Sequence, residues 1–168
     1  MAHYVIPFRP GGKTRLGDSG LALAMLRDVV AAVRVLGNEA TIVDAPGGQG
    51  AAVAAALAAL DGPVTIVNGD LPCVRSDELA ALTRAAPALV AARDGTTNAL
   101  ALRHARDFAP LYGTGSAARF AAALDAARLA LPGLRDDVDT WDDVERVRER
   151  LGVHTRRYLT RLDRARAS

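Results

Sequence analysis

One stretch, Val64 to Pro72, constrains the fold of this chain more than any other. It opens with Val64-Thr65-Ile66-Val67, all of them β-branched, which is typical of a strand buried on both faces. Asn68-Gly69 then breaks the strand, and Asp70 stands at its carboxyl end. In an open α/β sheet, ligands bind beyond that end of the strands. Two interpretations of Asp70 follow: a turn residue that hydrogen-bonds its own backbone, or a ligand for a hard cation such as Mg²⁺.

Composition narrows the class of protein further. The 168 residues suffice for one domain with a real core, and half of them are hydrophobic although only 4% are aromatic. A net charge of +2 does not indicate a nucleic-acid-binding protein. The single cysteine, Cys73, excludes an internal disulfide and is interpreted as a small buried residue. No apolar run approaches the length of a membrane span, and the start lacks a signal-peptide pattern, so we expect a cytoplasmic protein without a membrane partner.

The order of predicted elements indicates an α/β fold. Strands are predicted at 1–8, 40–43, 64–67, 89–92 and 98–103, and helices at 21–36, 51–60, from Ser76, at 117–128 and at 141–151. This alternation favours a single domain over residues 1–152, with a mostly parallel sheet and helices on both faces. Residues 153–168 are interpreted as a basic C-terminal helix or tail. Its leucines, Leu159 and Leu162, could dock on the body or on a second subunit, which leaves a homodimer open.

Residues 9–17, the cation loop, follow the first predicted strand and combine flexible and positively charged residues. Glycines let the backbone approach a ligand closely, and Lys and Arg attract phosphates. The candidates in the loop are Arg9, Gly11, Gly12, Lys13 and Arg15. The spacing of a P-loop is absent, so a solvated strand-to-helix loop is the alternative interpretation.

Residues 110–116, the glycine loop, precede a predicted helix. Free amides at a helix N-terminus flanked by glycines can bind an anion, and the loop contains Gly113, Gly115 and Ser116. Arg119, about one turn into the helix, could face the same anion. Ser116 acting simply as the N-cap of the helix is the competing interpretation.

An acidic segment, Asp136 to Asp143, precedes the next predicted helix. Four of its five carboxylates are interpreted as residues that cap and flank this helix. Asp139, just before Thr140, is the candidate to point back towards a site. Trp141 is interpreted as core packing.

Taken together, these stretches resemble one family of enzymes. Asn68-Gly69-Asp70-Leu71-Pro72 after a strand, followed much later by Asp137-Val138-Asp139-Thr140, resembles the two-carboxylate signature of nucleotidyltransferases with the glycosyltransferase-A-like Rossmann fold. More narrowly, the chain resembles the phospholactate or phosphoenolpyruvate guanylyltransferase family (CofC/FbiD), within the MobA-like nucleotidyltransferases. The stretches that carry this narrower resemblance are Lys13-Thr14-Arg15-Leu16, Leu23-Ala24-Met25-Leu26-Arg27-Asp28-Val29, Gly95-Thr96-Thr97-Asn98-Ala99-Leu100 and Tyr112-Gly113-Thr114-Gly115-Ser116-x-x-Arg119.

The resemblance implies a three-layer sandwich and a reaction between two small partners. GMP would pass from GTP to the phosphate of a three-carbon acid (2-phospho-L-lactate, phosphoenolpyruvate or 3-phosphoglycerate), releasing pyrophosphate, in coenzyme F-420 biosynthesis. It further implies that Asp70 and Asp139 hold Mg²⁺ and that Lys13 and Arg15 hold the GTP phosphates. Arg9, Gly11, Gly12 and Asn68 would complete the nucleotide side. The pocket for the acid would be lined by Thr97, Asn98, Gly113, Gly115, Ser116 and Arg119.

Two other functions stay open on the sequence. A MobA-like nucleotidyltransferase for another acceptor would share the fold, but its usual glycine-rich first loop, L-A-G-G-x-G-x-R-M, is absent here. A non-catalytic module that binds a nucleotide or a partner would tolerate the loss of Asp139. The chain also departs from the resembled family, because Asn68 stands where some members carry another acid and Trp141 replaces the usual proline.

Overall fold

The structure, a computed structural model, describes residues 2–9, 15–44 and 48–167. Its strands are β1 (His3–Pro7), β2 (Ala40–Val43), β3 (Val64–Val67), β4 (Ala88–Ala91), β5 (Thr97–Leu102) and β6 (Ala127–Arg128). Its α-helices are α1 (Ser19–Val35), α2 (Gln49–Leu57), α3 (Ser76–Arg84), α4 (Ser116–Leu124), α5 (Pro132–Arg135), α6 (Trp141–Val147) and α7 (Val153–Ala167). Short 3₁₀ turns cover Ala105–Asp107 and Arg148–Arg150.

The six strands form one mixed sheet in the order β2-β1-β3-β5-β4-β6. β5 runs antiparallel to its neighbours β3 and β4, whereas the other pairs are parallel. Only residues 92–96 connect β4 to β5, which is too short for the crossover that a parallel pair requires. The start of β5 therefore lies at the edge where β1, β3 and β4 end.

Helices cover both faces of the sheet, which confirms the predicted α/β class. Side chains alternate along β1, so Tyr4 and Ile6 face one cluster of buried residues and Val5 faces the other. The first cluster includes residues of α1, α3 and α5, and the second includes residues of α2 and α4. Cys73 is buried, as predicted.

The prediction of one long helix over residues 117–128 is wrong. Helix α4 ends at Leu124, because Asp125 adopts a left-handed conformation with a φ of 49°. The chain then reverses, and Ala127–Arg128 pairs in parallel with β4 at the edge of the sheet. Tertiary pairing overrides the helix propensity of this alanine-rich stretch.

The C-terminal residues form helix α7, which packs on α1. Leu159 is buried in this contact and Leu162 is half-buried. Within the described ranges, no helix has both the length and the apolar character needed to cross a membrane.

Candidate functional site

Asp70 lies at the edge of the sheet where β3 ends and β5 begins. Every residue of β3 is buried. The Asn68 amide donates to the Asn98 carbonyl oxygen at 2.9 Å, which continues the pairing of the two strands into the turn. A Cβ built on Gly69 would lie 3.1 Å from Phe8 Cδ2, so this turn has little room for a side chain at that position. These constraints fix the backbone that presents Asp70.

Three carboxylates converge at this edge. One oxygen each from Asp70, Asp137 and Asp139, all half-buried, lies within 4.8 Å of the other two. The Val138 amide donates to the Asp70 carbonyl oxygen at 3.1 Å and holds the two segments side by side. Carboxylates this close repel one another, and a divalent cation between them removes that cost. This carboxylate cluster offers the oxygen ligands that Mg²⁺ prefers, so the donor set fits such an ion.

The backbone of Asp139 is held by a capping box at the start of α6. The Asp143 carboxylate accepts hydrogen bonds from the amides of Asp139 at 3.0 Å and Thr140 at 2.9 Å. The Thr140 hydroxyl caps the helix in return. Burial disfavours the ionised carboxylate, but hydrogen bonds from Thr140 and Arg146 outweigh burial and lower the pKa of Asp143. Asp143 is therefore a helix cap, as predicted, and it also positions Asp139.

A chain of side-chain amides connects the end of β3 to the carboxylate cluster. Gln49 Nε2 donates to Asn68 Oδ1 at 2.7 Å, and Asn68 Nδ2 donates to Asn98 Oδ1 at 3.4 Å. Asn98 Nδ2 in turn donates to Asp137 Oδ1 at 3.3 Å and to the Arg135 carbonyl oxygen at 2.9 Å. The two predicted asparagines therefore meet in one network that orients Asp137.

The position of Asp137 differs from its predicted role as a residue flanking α6. A signal for it exists in the sequence, because Asp137-Val138-Asp139 alternates polar and apolar residues and Val138 is fully buried. Such alternation places the two carboxylates on the same side of the chain. Gln49, which also was not predicted, carries no comparable signal, since only the fold brings it to Asn68.

The glycine loop lies against the start of β5. Gly113 and Gly115 have positive φ angles of 109° and 72°, which favour glycine. Gly115 is the N-cap residue of α4, so the interpretation of Ser116 as the N-cap is wrong. Ser116 is instead fully buried, and its hydroxyl lies 2.9 Å from the hydroxyl of Thr97. Two predicted residues thus form one hydroxyl pair at the base of the loop.

Arg119 braces the glycine loop from the first turn of α4. Its guanidinium donates to the carbonyl oxygens of Leu111 at 2.9 Å, Tyr112 at 3.2 Å and Thr114. The Thr114 bond measures 2.6 Å. These bonds tie the glycine loop to α4 through three of the loop's carbonyl oxygens.

An open cleft of about 340 Å³ lies beside the carboxylate cluster. Asn68 and Asp70 line one side of it, and Arg9, Asp44 and Gln49 line another. Arg9 Nε lies 3.5 Å from Asp44 Oδ1, with both side chains about half exposed. Apolar walls with a few charged and amide groups are typical of a site for a small molecule.

The structure describes only the two ends of the cation loop. Gly11, Gly12 and Lys13 lie outside the described residues. Arg15 is exposed, and Leu16 directly after it is buried. Arg9 and Arg15 therefore flank the part of the loop for which the prediction stays a prediction.

A fully buried carboxylate, Asp136, precedes the cluster residue Asp137. Arg93 Nε and Arg135 Nε donate to its Oδ1 at 2.8 Å and 3.3 Å, and Arg150 Nη2 donates to its Oδ2 at 2.6 Å. Burial disfavours the ionised form, but these hydrogen bonds outweigh burial and lower the pKa of Asp136 to about 2. Three arginines thus hold the Asp136 carboxylate, one residue before Asp137.

Asp136→Asn is expected to lower the free energy of unfolding at neutral pH by about 1–3 kcal/mol, because charge-assisted hydrogen bonds are lost. The pKa of the folded carboxyl lies below its ordinary value of 3.8, so its ionised form contributes stability above that value. This contribution disappears as the pH falls from about 4 towards 2. Urea unfolding at several pH values checks both effects. An equal pH dependence in wild type and variant would contradict this assignment.

No protein-family model matches the sequence. A phosphoenolpyruvate guanylyltransferase from Streptomyces scabiei is 34% identical, with 83% of this chain and 87% of the relative aligned. A second, from Streptomyces avermitilis, is 37% identical, with 86% of this chain and 85% of the relative aligned. The chain belongs to the phosphoenolpyruvate guanylyltransferase family. The family resemblance found in the motifs is thereby confirmed.

Solved structures with the same fold support the α/β architecture of this guanylyltransferase family member. A Desulfovibrio desulfuricans protein assigned to the nucleotide-diphospho-sugar transferases covers 98% of this chain, with a TM-score of 0.70 and 18% identity. A Thermus thermophilus protein described as a hypothetical transferase covers 86%, with a TM-score of 0.60 and 20% identity. At these identities the likeness concerns the fold alone.

Proposed function

We propose that this chain transfers GMP from GTP to the phosphate of phosphoenolpyruvate or a closely related three-carbon acid, with release of pyrophosphate. The observation that carries the proposal is the carboxylate cluster beside the cleft, in a chain whose relatives are named phosphoenolpyruvate guanylyltransferases. The family resemblance extends the proposal to coenzyme F-420 biosynthesis, with 2-phospho-L-lactate and 3-phosphoglycerate as the other acceptors to be tested.

The proposed step is a displacement at the α-phosphorus of GTP. A phosphate oxygen of the acid forms a new bond to that phosphorus, and the bond from the phosphorus to the oxygen bridging to the β-phosphate breaks. The electron pair of the broken bond leaves with pyrophosphate. Because both reactants are polyanions, their repulsion and the charge of the leaving group must be neutralised.

Residues on two sides of the cleft would neutralise the negative charge of the reactants and of the leaving pyrophosphate. Asp70, Asp137 and Asp139 would hold Mg²⁺, which supplies positive charge at the phosphates when bound. Lys13 and Arg15 would bind the GTP phosphates from the cation loop, since guanidinium and ammonium groups pair well with phosphate oxygens. Both groups act by position and charge rather than by covalent chemistry.

The mechanism needs no general base, because the attacking phosphate oxygen is already ionised at neutral pH. The histidines agree with this. His3 begins β1 and His104 follows β5, so both lie at the edge of the sheet opposite Asp70. His154 lies in α7, and its amide donates to the Asp28 carboxylate of α1.

The acid side is assigned to the glycine loop and the start of β5. Thr97 and Ser116 supply buried hydroxyls, and the turns at Gly113 and Gly115 allow a close approach of the backbone to a carboxylate or phosphate. Asn98 connects this side to Asp137. The acid would therefore lie next to the metal ligands, as the transfer requires.

Pyrophosphate release in the presence of Mg²⁺ tests the proposal directly. GTP, ATP and CTP are each offered with phosphoenolpyruvate, 2-phospho-L-lactate and 3-phosphoglycerate. We expect release with GTP and phosphoenolpyruvate. Release with another acid alone would correct the acceptor. No release in any pairing, from folded protein, would overturn the proposal in favour of another acceptor or a binding module.

Ser116→Ala is expected to raise the KM for the acid about tenfold and to leave the KM for GTP within about twofold, because the Thr97 hydroxyl loses its partner beside the acid. Ser76→Ala is the matched control, since Ser76 is also the first residue of a helix, in α3. Initial rates with each substrate varied in turn make the comparison. An increase confined to the KM for GTP would reverse the assignment of the two sides.

A further inference from the structure

Two side chains from the last third of the chain hold the segment that follows Arg15. Trp141 Nε1 donates to the Leu16 carbonyl oxygen at 3.1 Å. The Tyr158 hydroxyl donates to Asp18 Oδ1 at 2.7 Å. The same Asp18 oxygen accepts a hydrogen bond from the Leu21 amide at 2.9 Å and so caps α1. Tyr158 therefore fixes the cap, and Trp141 fixes the backbone just before it.

One packed cluster joins this segment to the carboxylate cluster. The Leu16 side chain, 2% exposed, is buried in it together with Val138, which stands between Asp137 and Asp139. Cys73, close after Asp70 in the chain, is buried in the same cluster. Among the residues that the structure describes, Leu159 of α7 is also buried in this cluster.

Helix α7 closes this cluster and is held in place by a buried carboxylate. Asp28 of α1, 5% exposed, accepts hydrogen bonds from the amides of His154 at 2.9 Å and Thr155 at 3.0 Å. A Cβ built on Gly20 of α1 would lie 2.6 Å from the Tyr158 hydroxyl oxygen, so a larger residue at position 20 would displace the Tyr158 ring. The position of Tyr158 is therefore set by the fold rather than by the flexibility of a tail.

We infer that Trp141 and Tyr158 are positioning residues that set the end of the cation loop relative to the carboxylate cluster. The inference rests on the proposed function, in which Lys13 and Arg15 hold the GTP phosphates. Trp141 follows Asp139 and Thr140 directly, so one short segment carries both a metal ligand and the indole that fixes Leu16. Helix α7 thus belongs to the binding apparatus for GTP.

The test removes each hydrogen bond while keeping the ring. Tyr158→Phe removes one hydroxyl. Trp141 is the only tryptophan of the chain, so biosynthetic replacement of tryptophan by benzothienylalanine removes its N–H and keeps the shape of the ring. Tyr4→Phe is the matched control, because its hydroxyl lies 3.0 Å from the Thr83 hydroxyl, away from the cluster.

Each replacement is expected to raise the KM for GTP about fivefold, the effect of one lost hydrogen bond. The kcat and the KM for the acid should stay within about twofold of wild type. Hydrogen exchange at the amides of residues 15–21 should accelerate by a similar factor, because Leu16 or Asp18 loses one of its hydrogen bonds. Tyr4→Phe should change none of these values.

The outcomes separate this inference from the proposed function. If wild type transfers GMP and both replacements keep its KM for GTP, the positioning role is wrong and the function stands. Equal rises in both KM values would indicate a general loss of structure and would also overturn the role. If wild type transfers no GMP, hydrogen exchange and the dissociation constant for GTP from calorimetry still decide it, and unchanged values would overturn it.

Discussion

Asp70→Asn is expected to lower the rate of pyrophosphate release by about a thousandfold or more, because it removes a metal ligand from the carboxylate cluster. Asparagine keeps the size of the side chain and lacks its charge. In the absence of Mg²⁺ the melting temperature should stay the same or rise, since the variant relieves repulsion among Asp70, Asp137 and Asp139. The increase in melting temperature that Mg²⁺ gives wild type should be lost.

Asp142→Asn is the control for Asp70→Asn. Asp142 belongs to the acidic segment but is exposed at the start of α6. The control should keep the wild-type rate and the wild-type response to Mg²⁺. Normal turnover by Asp70→Asn would show that Asp70 is not a metal ligand. An equal loss in both variants would point to net charge rather than coordination.

The central strand could be predicted from sequence because its signal is local. Four β-branched residues followed by Asn-Gly leave few alternatives, and the turn after them has to present Asp70. The direction of β5 is predictable from local sequence as well, because the short connection from β4 permits only an antiparallel pair. This direction brings Thr97 and Asn98 to the site.

The end of α4 could not be predicted, because the decisive contact is not local. Residues 117–128 have the composition of one helix, and no residue type among them predicts the left-handed backbone conformation of Asp125. The stretch stops being helical because Ala127–Arg128 pairs with β4 at the edge of the sheet. That edge exists only once the sheet has formed.

For Ser116 and Trp141, the sequence predicts the general location of the side chain but not its hydrogen-bond partner. A serine at a helix start is usually a cap, yet Gly115 takes that position and turns the Ser116 hydroxyl towards Thr97. Trp141 packs against the cluster that buries Leu16 and Val138, as predicted, and its N–H also donates to the Leu16 carbonyl oxygen, which is distant in sequence. Residue type predicts burial, whereas only the fold supplies the partner.

Asp137→Asn distinguishes the three-carboxylate site in the structure from the pair of carboxylates that the sequence predicts. We expect it to lower both kcat/KM and the affinity for Mn²⁺, used in place of Mg²⁺, by about a hundredfold or more. Asn98 can still hydrogen-bond the new side chain, so the fold should be kept. Calorimetric titration with Mn²⁺ and steady-state rates make the comparison.

Asp136→Asn is the matched variant one residue earlier. The two variants should differ in whether they lose stability or affinity for Mn²⁺. Asp136 is buried among three arginines, so its loss should reduce stability and leave Mn²⁺ affinity within about threefold of wild type. Asp137 faces the other two carboxylates, so its loss should do the reverse. Wild-type Mn²⁺ affinity in Asp137→Asn would show that Asp70 and Asp139 bind the metal without Asp137. A large loss of Mn²⁺ affinity in both variants would mean that the arginines, by setting the backbone at Asp137, control the geometry of the metal site.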